Sequence, residues 1–104
     1  MKPLIVRKAA RIEVRSIRQW YDNEAAGLGA RFLAELDDVV ARLRSTPQQF
    51  PVVRKSIRRA LLHRFPYSVY FVDHTDAIIL FAVLHHRRNP ADWKHRASRE
   101  ETDE

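Results

Sequence analysis

Arg64-Phe-Pro-Tyr-Ser-Val-Tyr-Phe-Val72 and, after the polar interval Asp73-His-Thr-Asp76, Ala77-Ile-Ile-Leu-Phe-Ala-Val-Leu84 decide the fold. Both runs are apolar and rich in β-branched and aromatic residues, the composition of buried or half-buried strands. The polar interval has the length of a hairpin loop. The second run is apolar at both parities. Ile78, Leu80 and Ala82 are expected on one face, Ile79, Phe81 and Val83 on the other, so this strand is read as central, with a neighbour on each side. It stops at His85-His-Arg-Arg88, which puts a cationic cluster at the end of the strongest core element.

Upstream, the period changes. Ala10, Val14, Ile17, Tyr21 and Ala25 form one stripe of a helix beginning near Lys8, widened by Ile12 and Trp20. Gly27 is a helix stop and Gly29 permits a tight junction. Leu28, Phe32, Leu36, Val39 and Leu43 predict a second helix, ended by Thr46-Pro47. Arg31 with Glu35 and Asp38 with Arg42 are spaced for i,i+4 ion pairs. So short a link predicts an antiparallel helical hairpin. Pro3 to Arg7 and Ser56 to Leu62 read as further strands. Residues 48–53 read as a connection with Phe50 tucked against the hairpin, and residues 91–99 as one or two helical turns. The expected order is β-α-α-β-β-β, an α+β fold with the N-terminal hairpin packed on one face of a small, mainly antiparallel sheet.

One hundred and four residues make one domain, read as residues 1–99 with an acidic, fraying tail at 100–104. There is no cysteine, hence no disulfide framework or thiolate metal site. His63, His74 and His95 lack ligand spacing, so no metal and no cofactor are expected. No apolar run approaches the roughly 18 residues of a membrane span. The N-terminal apolar stretch is too short for a signal peptide, and a cytoplasmic protein is expected. The formal net charge is +6. Residues 52–99 carry ten Lys/Arg against three Asp/Glu, a balance of +7, and a basic sheet half implies an anionic partner.

Arg58-Arg59, Arg64-Phe-Pro-Tyr67, Tyr70 and Val83-Leu-His85-X-Arg87-Arg88-X-Pro90-X-X-Trp93-X-X-Arg96 form a recognisable set, with Trp20-Tyr21, Gly27-Leu-Gly29 and Phe32 upstream. Over roughly residues 3–96 the chain resembles the RelE/ParE superfamily of small toxins from type II toxin–antitoxin pairs, the ParE branch in particular. The resemblance implies a small α+β sheet with a helical hairpin and a co-encoded acidic antitoxin. It implies one of two targets: DNA gyrase, poisoned by ParE-like members, or ribosome-bound mRNA, cut by RelE-like members. An inactive homologue kept as a DNA- or antitoxin-binding module is a third reading.

The resemblance also distributes roles. An arginine at the Arg87 position contacts the scissile phosphate in RelE-like nucleases, a task suited to a fork that pairs bidentately with phosphate. The same nucleases tend to carry tyrosine where this chain has Trp93, and arginine where it has Ser68. Those departures favour a non-enzymatic, gyrase-binding toxin. If the chain is a metal-independent ribonuclease, Arg87, His85, Arg58 and Arg59 are its candidates. Candidate contacts to target or antitoxin are Arg58, Arg59, Arg64, Arg87, Arg88, Trp93 and Arg96. Each has a plainer role open to it. Arg87 or Arg88 can pair with Asp92, Trp93 can staple the tail to the sheet, and Arg64 can anchor a strand start. His85 and His86, adjacent on a strand end, should face opposite ways, one held near the core and the other at the edge. The apolar sheet face left open by the hairpin is expected to receive an acidic, amphipathic antitoxin segment.

Overall fold

A computed structural model describes residues 2–100. A short strand, β1 (Leu4–Val6), leads directly into α1 (Lys8–Glu24), and α2 (Leu28–Ser45) returns antiparallel to it. A 3₁₀ turn at Pro47–Gln49 follows, then β2 (Val52–Arg54), β3 (Ile57–Leu61), β4 (Tyr67–Asp73) and β5 (Ile78–His85), and last α3 (Ala91–Ala97). The sheet order is β1-β5-β4-β3-β2, with β1 parallel to β5 and every other pair antiparallel. The fold is α+β, as the alternation of periods indicated. β5 has neighbours on both sides, β1 and β4. One element goes beyond the expected order: β2 is an edge strand inside the stretch read as a connection, while α3 lies where one or two helical turns were expected.

The hairpin depends on two glycines with different duties. Gly27 sits at φ 84°, in the left-handed region that costs a side chain roughly 1–2 kcal/mol. Gly29 lies inside α2, where its backbone is ordinary, and its role is proximity. A Cβ there would meet Asp22 Oδ1 at 2.5 Å and the Arg18 carbonyl oxygen at 2.7 Å. The Gly29 N–H donates to Asp22 Oδ1 at 2.9 Å, which locks the helices at their joined end.

The two sheet faces carry separate cores. On the hairpin side, Ala10, Phe32, Leu36, Val39 and Leu43 pack on Ala60, Val69, Phe71, Ile78, Leu80 and Val83, with Phe50 against them as expected. On the other side, Trp93 and Ala97 of α3 pack on Ile57, Tyr70, Val72, Phe81, Ala82 and Leu84. The chain's own C-terminal helix therefore occupies much of the face expected to await an antitoxin.

The expected parity of β5 holds only for its first half. Tyr70 pairs with Ala82 and Phe71 with Leu80, which leaves Phe81 unpaired in a β-bulge. Phe81 and Ala82 both join the α3 core, and Val83, expected beside Ile79, turns to the hairpin with Ile78 and Leu80. Ile12 and Trp20 also depart from expectation: they stand 50% and 56% exposed on the outside of α1 instead of widening its buried stripe. Glu100, the first residue of the acidic tail, pairs with Arg7 at 2.7 Å, and residues 101–104 lie outside the described residues.

Gly29→Ala is expected to force the helices apart at a contact that is partly backbone. Such overpacking typically costs about 1–3 kcal/mol. Chemical denaturation should show a lowered midpoint, and a neutral effect would contradict this packing.

Candidate functional site

Beyond the last residue of β1, the edge of β5 has no strand to pair with, and side chains close it. Glu13 Oε1 accepts from the Val83 N–H at 3.0 Å. Arg96 holds the same carboxylate through two bonds, 2.7 and 3.0 Å, and donates to the Phe81 carbonyl. The pair ties α1, β5 and α3 together. Arg96 is thus engaged internally, away from any target. Trp93 is also internal: it is 6% exposed, with its ring stacked on Tyr70 at 4.8 Å between centroids and 18° between planes. It is the staple of the tail, not an open platform for a base.

The other candidates divide among three places. Arg58 lies on the hairpin side of β3 and donates to the Phe50 carbonyl at 2.6 Å. Arg59 lies on the α3 side, opposite Tyr70, with its Nε buried and unbonded. Arg64, His85, Arg87 and Arg88 gather at the far end of the sheet, where the β3–β4 connection meets the turn after β5. There His86 donates its backbone N–H to the Pro66 carbonyl and bonds the Tyr67 carbonyl through Nε2. His85 packs edge-on to Tyr67, centroids 5.5 Å apart, and its Nδ1 accepts the Arg87 N–H at 3.1 Å. Its remaining proton is therefore on Nε2. Arg88 takes Asp92 at 2.7 Å, which leaves the exposed guanidinium of Arg87 without a partner among the described residues.

A groove adjoins this end, and sequence reasoning missed it. It encloses about 1140 Å³ between α2 and the β3–β4 connection. Tyr21, Leu28, Val39 and Phe65 supply apolar lining, and Arg31, Arg42, His63 and Arg64 supply basic groups. Neither expected i,i+4 pair on α2 forms. The Glu35 carboxylate instead accepts the backbone N–H groups of His63, at 2.8 Å, and Arg64, at 3.1 Å. Arg42 lies over the Phe50 ring at 5.9 Å. Arg64 therefore anchors the β4 approach by its backbone, and its guanidinium remains exposed. The only sequence signal was Leu28, Arg31, Glu35, Asp38 and Arg42 at spacings of 3, 4, 3 and 4, a second stripe on α2 that reads equally well as a solvated face.

At the closed end of the hairpin, Tyr21 packs against Phe32, Phe65 and Tyr67. Its hydroxyl is pushed up to about 12, first by burial and then by its hydrogen bond to Tyr67. No group of three or more His, Asp or Glu is placed to hold a metal ion among the described residues. No helix among them is long and apolar enough to cross a membrane.

Residues 4–90 match the model of the ParE toxin of the type II toxin–antitoxin system parDE. The chain belongs to the ParE toxin family. No curated protein sequence matches it. Among solved structures, a chain of the chromosomal ParDE toxin–antitoxin system from P. aeruginosa is similar, with a TM-score of 0.72 and 18% identity. The similarity covers 82% of this chain and 96% of that one, and at this identity it is a likeness of fold. The family match ends at Pro90, one residue before α3 begins.

Two outcomes follow from this geometry. Glu13→Ala leaves the Val83 N–H without an acceptor and the Arg96 guanidinium without its carboxylate; charge-assisted bonds of this kind are worth roughly 1.5–3 kcal/mol, so denaturation should show a loss of about that size, with Glu13→Gln intermediate. The raised Tyr21 pKa gives stability that is full below the ordinary tyrosine value of 10.0 and is lost as pH rises from there through about 12. Tyr21→Phe should remove that alkaline dependence, together with a tyrosinate absorbance step near pH 12.

Proposed function

We propose that this ParE-family toxin arrests growth by binding DNA gyrase, and that a co-encoded antitoxin neutralises it by laying an acidic, amphipathic segment along the α2 groove. The observation that carries the binding reading is the dispersal of the candidate catalytic groups. Cleaving a phosphodiester without metal needs a base, an acid and a cation around one phosphate. Arg87 is an exposed cation with a free guanidinium. His85, the nearest proton-transfer group, has its Nδ1 bonded to the Arg87 N–H and its ring against Tyr67. In the register of β4, Arg58 and Arg59 stand opposite Phe71 and Tyr70, while His85 stands opposite Tyr67. At about 3.3 Å per residue that separates them by roughly 10–13 Å along the strand direction alone, with β4 between them, and Arg59 is on the other face. Ser68, where the RelE-like nucleases tend to carry arginine, is 2% exposed and enclosed by the α3-side core.

The groove supports the antitoxin half of the reading. From Leu28 to Arg42 it follows α2 for 15 residues, about 21 Å, the length of four turns of a docked helix. Of its two carboxylates, Glu35 is taken up by two backbone donors, and Asp38 stands among Arg31, Arg42 and Arg64 in the same lining.

Purified toxin should stop supercoiling by purified gyrase and leave mRNA whole on translating ribosomes. His85→Ala should not change the gyrase result. Adding the product of the adjacent gene should restore supercoiling, and Arg31→Glu with Arg64→Glu should weaken that antitoxin at least about tenfold, as expected for lost charge-assisted contacts. Ribosome-dependent cleavage by the wild type would replace this reading with that of a RelE-like mRNA endonuclease.

A further inference from the structure

One short segment serves both the α2 groove and the basic end of the sheet. Residues 62–66 join β3 to β4, and His63, Arg64 and Phe65 line the groove. On the groove side the His63 N–H rests on Glu35 Oε2 at 2.8 Å and the Arg64 N–H on Oε1 at 3.1 Å. Two residues on, the Pro66 carbonyl accepts the His86 N–H at 2.8 Å, and His86 Nε2 bonds the Tyr67 carbonyl at 2.9 Å. Arg87 follows, its N–H on His85 Nδ1 at 3.1 Å. Tyr21 adds a parallel tether: it lines the groove and hydrogen-bonds Tyr67, whose ring packs on His85.

Glu35 has a second position open to it. Arg31, one turn earlier on α2 and exposed, is spaced to take the same carboxylate. Both Glu35 oxygens are on the connection, so a turn toward the Arg31 fork draws at least one of them away. We propose that Glu35 is a latch with these two positions, and that it couples the groove to the basic end. On the β3–β4 connection it fixes the segment that holds His86 and, through it, Arg87. On Arg31 it lets that segment open. A partner's carboxylate that pairs with Arg31 removes the competitor and so favours the first position, which makes an acidic segment in the groove tighten the presentation of Arg87. This last step rests on reading the groove as the receptor of an acidic segment. The latch itself belongs to the chain alone, and its test needs neither antitoxin nor gyrase.

The test is residue-by-residue amide hydrogen exchange on the full chain, wild type and two variants. Glu35→Ala should speed exchange at His63 and Arg64 at least about tenfold, as for lost charge-assisted bonds. His86 and Arg87, which Glu35 does not touch, should speed up with them by about two- to thirtyfold, the range over which single substitutions shift coupled sites. Arg31→Gln neutralises the competitor as a bound carboxylate would, and should slow all four amides about twofold, the weight of one exposed helical ion pair. A purely structural role for Glu35 gives no response to Arg31→Gln. Amides in the middle of β5, far from the connection, should keep their rates in both variants, which marks the opening as local. Unmoved His86 and Arg87 beside accelerated His63 and Arg64, equal acceleration throughout the chain, or no slowing in Arg31→Gln would each overturn the proposal. An antitoxin that fails to bind would remove the receptor reading without altering these rates.

Discussion

A single unpaired residue, Phe81, re-aims the second half of the central strand. With the bulge in place, Val83 enters the hairpin core, Leu84 enters the α3 core and His85 comes to rest on Tyr67. The bulge lies where β1 has run out, so the Phe81 carbonyl and the Val83 N–H need partners from outside the sheet. A buried backbone group left unpaired costs about 1–3 kcal/mol. Glu13 and Arg96 meet both needs with one ion pair, and this brings α3 onto the sheet. Trp93 then reaches Tyr70 and seals the second face. The position of α3, the closure of the sheet edge and the orientation of the basic end all trace back to that one interruption of register.

The helices and the long strands were legible because their periods are unambiguous. The stripe Leu28, Phe32, Leu36, Val39, Leu43 has only one helical reading, and all but the half-buried Leu28 are buried. The bulge was not legible, for a physical reason. Alternation reports register only when one face is polar. In a strand apolar on both faces, sliding the second half by one residue exchanges one buried apolar side chain for another. β2 was hidden for a related reason: three residues at an exposed edge, after a proline, carry too little pattern to separate a strand from a connection.

The candidate site was half legible. Arg87 could be found because it follows the strongest strand directly. The groove could not, because its defining contact joins a side chain to backbone groups: Glu35 binds the N–H groups of His63 and Arg64, 28 and 29 residues away. From sequence, Glu35 has an obvious partner in Arg31, four residues earlier. An exposed helical ion pair of that kind is worth only a few tenths of a kcal/mol. Two charge-assisted bonds that also fix a loop are worth more, so the long-range contact wins and Arg31 is released to the groove.

That exchange bears on what a net charge means for binding. By count, residues 52–99 are the basic half of the chain, which pointed to the sheet as the receptor for an anionic partner. Two of those cations have counter-ions within the fold: Arg88 is paired with Asp92, and Arg96 with Glu13. The helical half looks nearer to neutral, yet two of its carboxylates, Glu13 and Glu35, are turned into the structure. Lys8, Arg15 and Arg31 are left facing water. The field a partner meets is set by charges whose counter-ions have been used elsewhere, and the fold adds uncompensated cations on the outer faces of α1 and α2 to those of the sheet half.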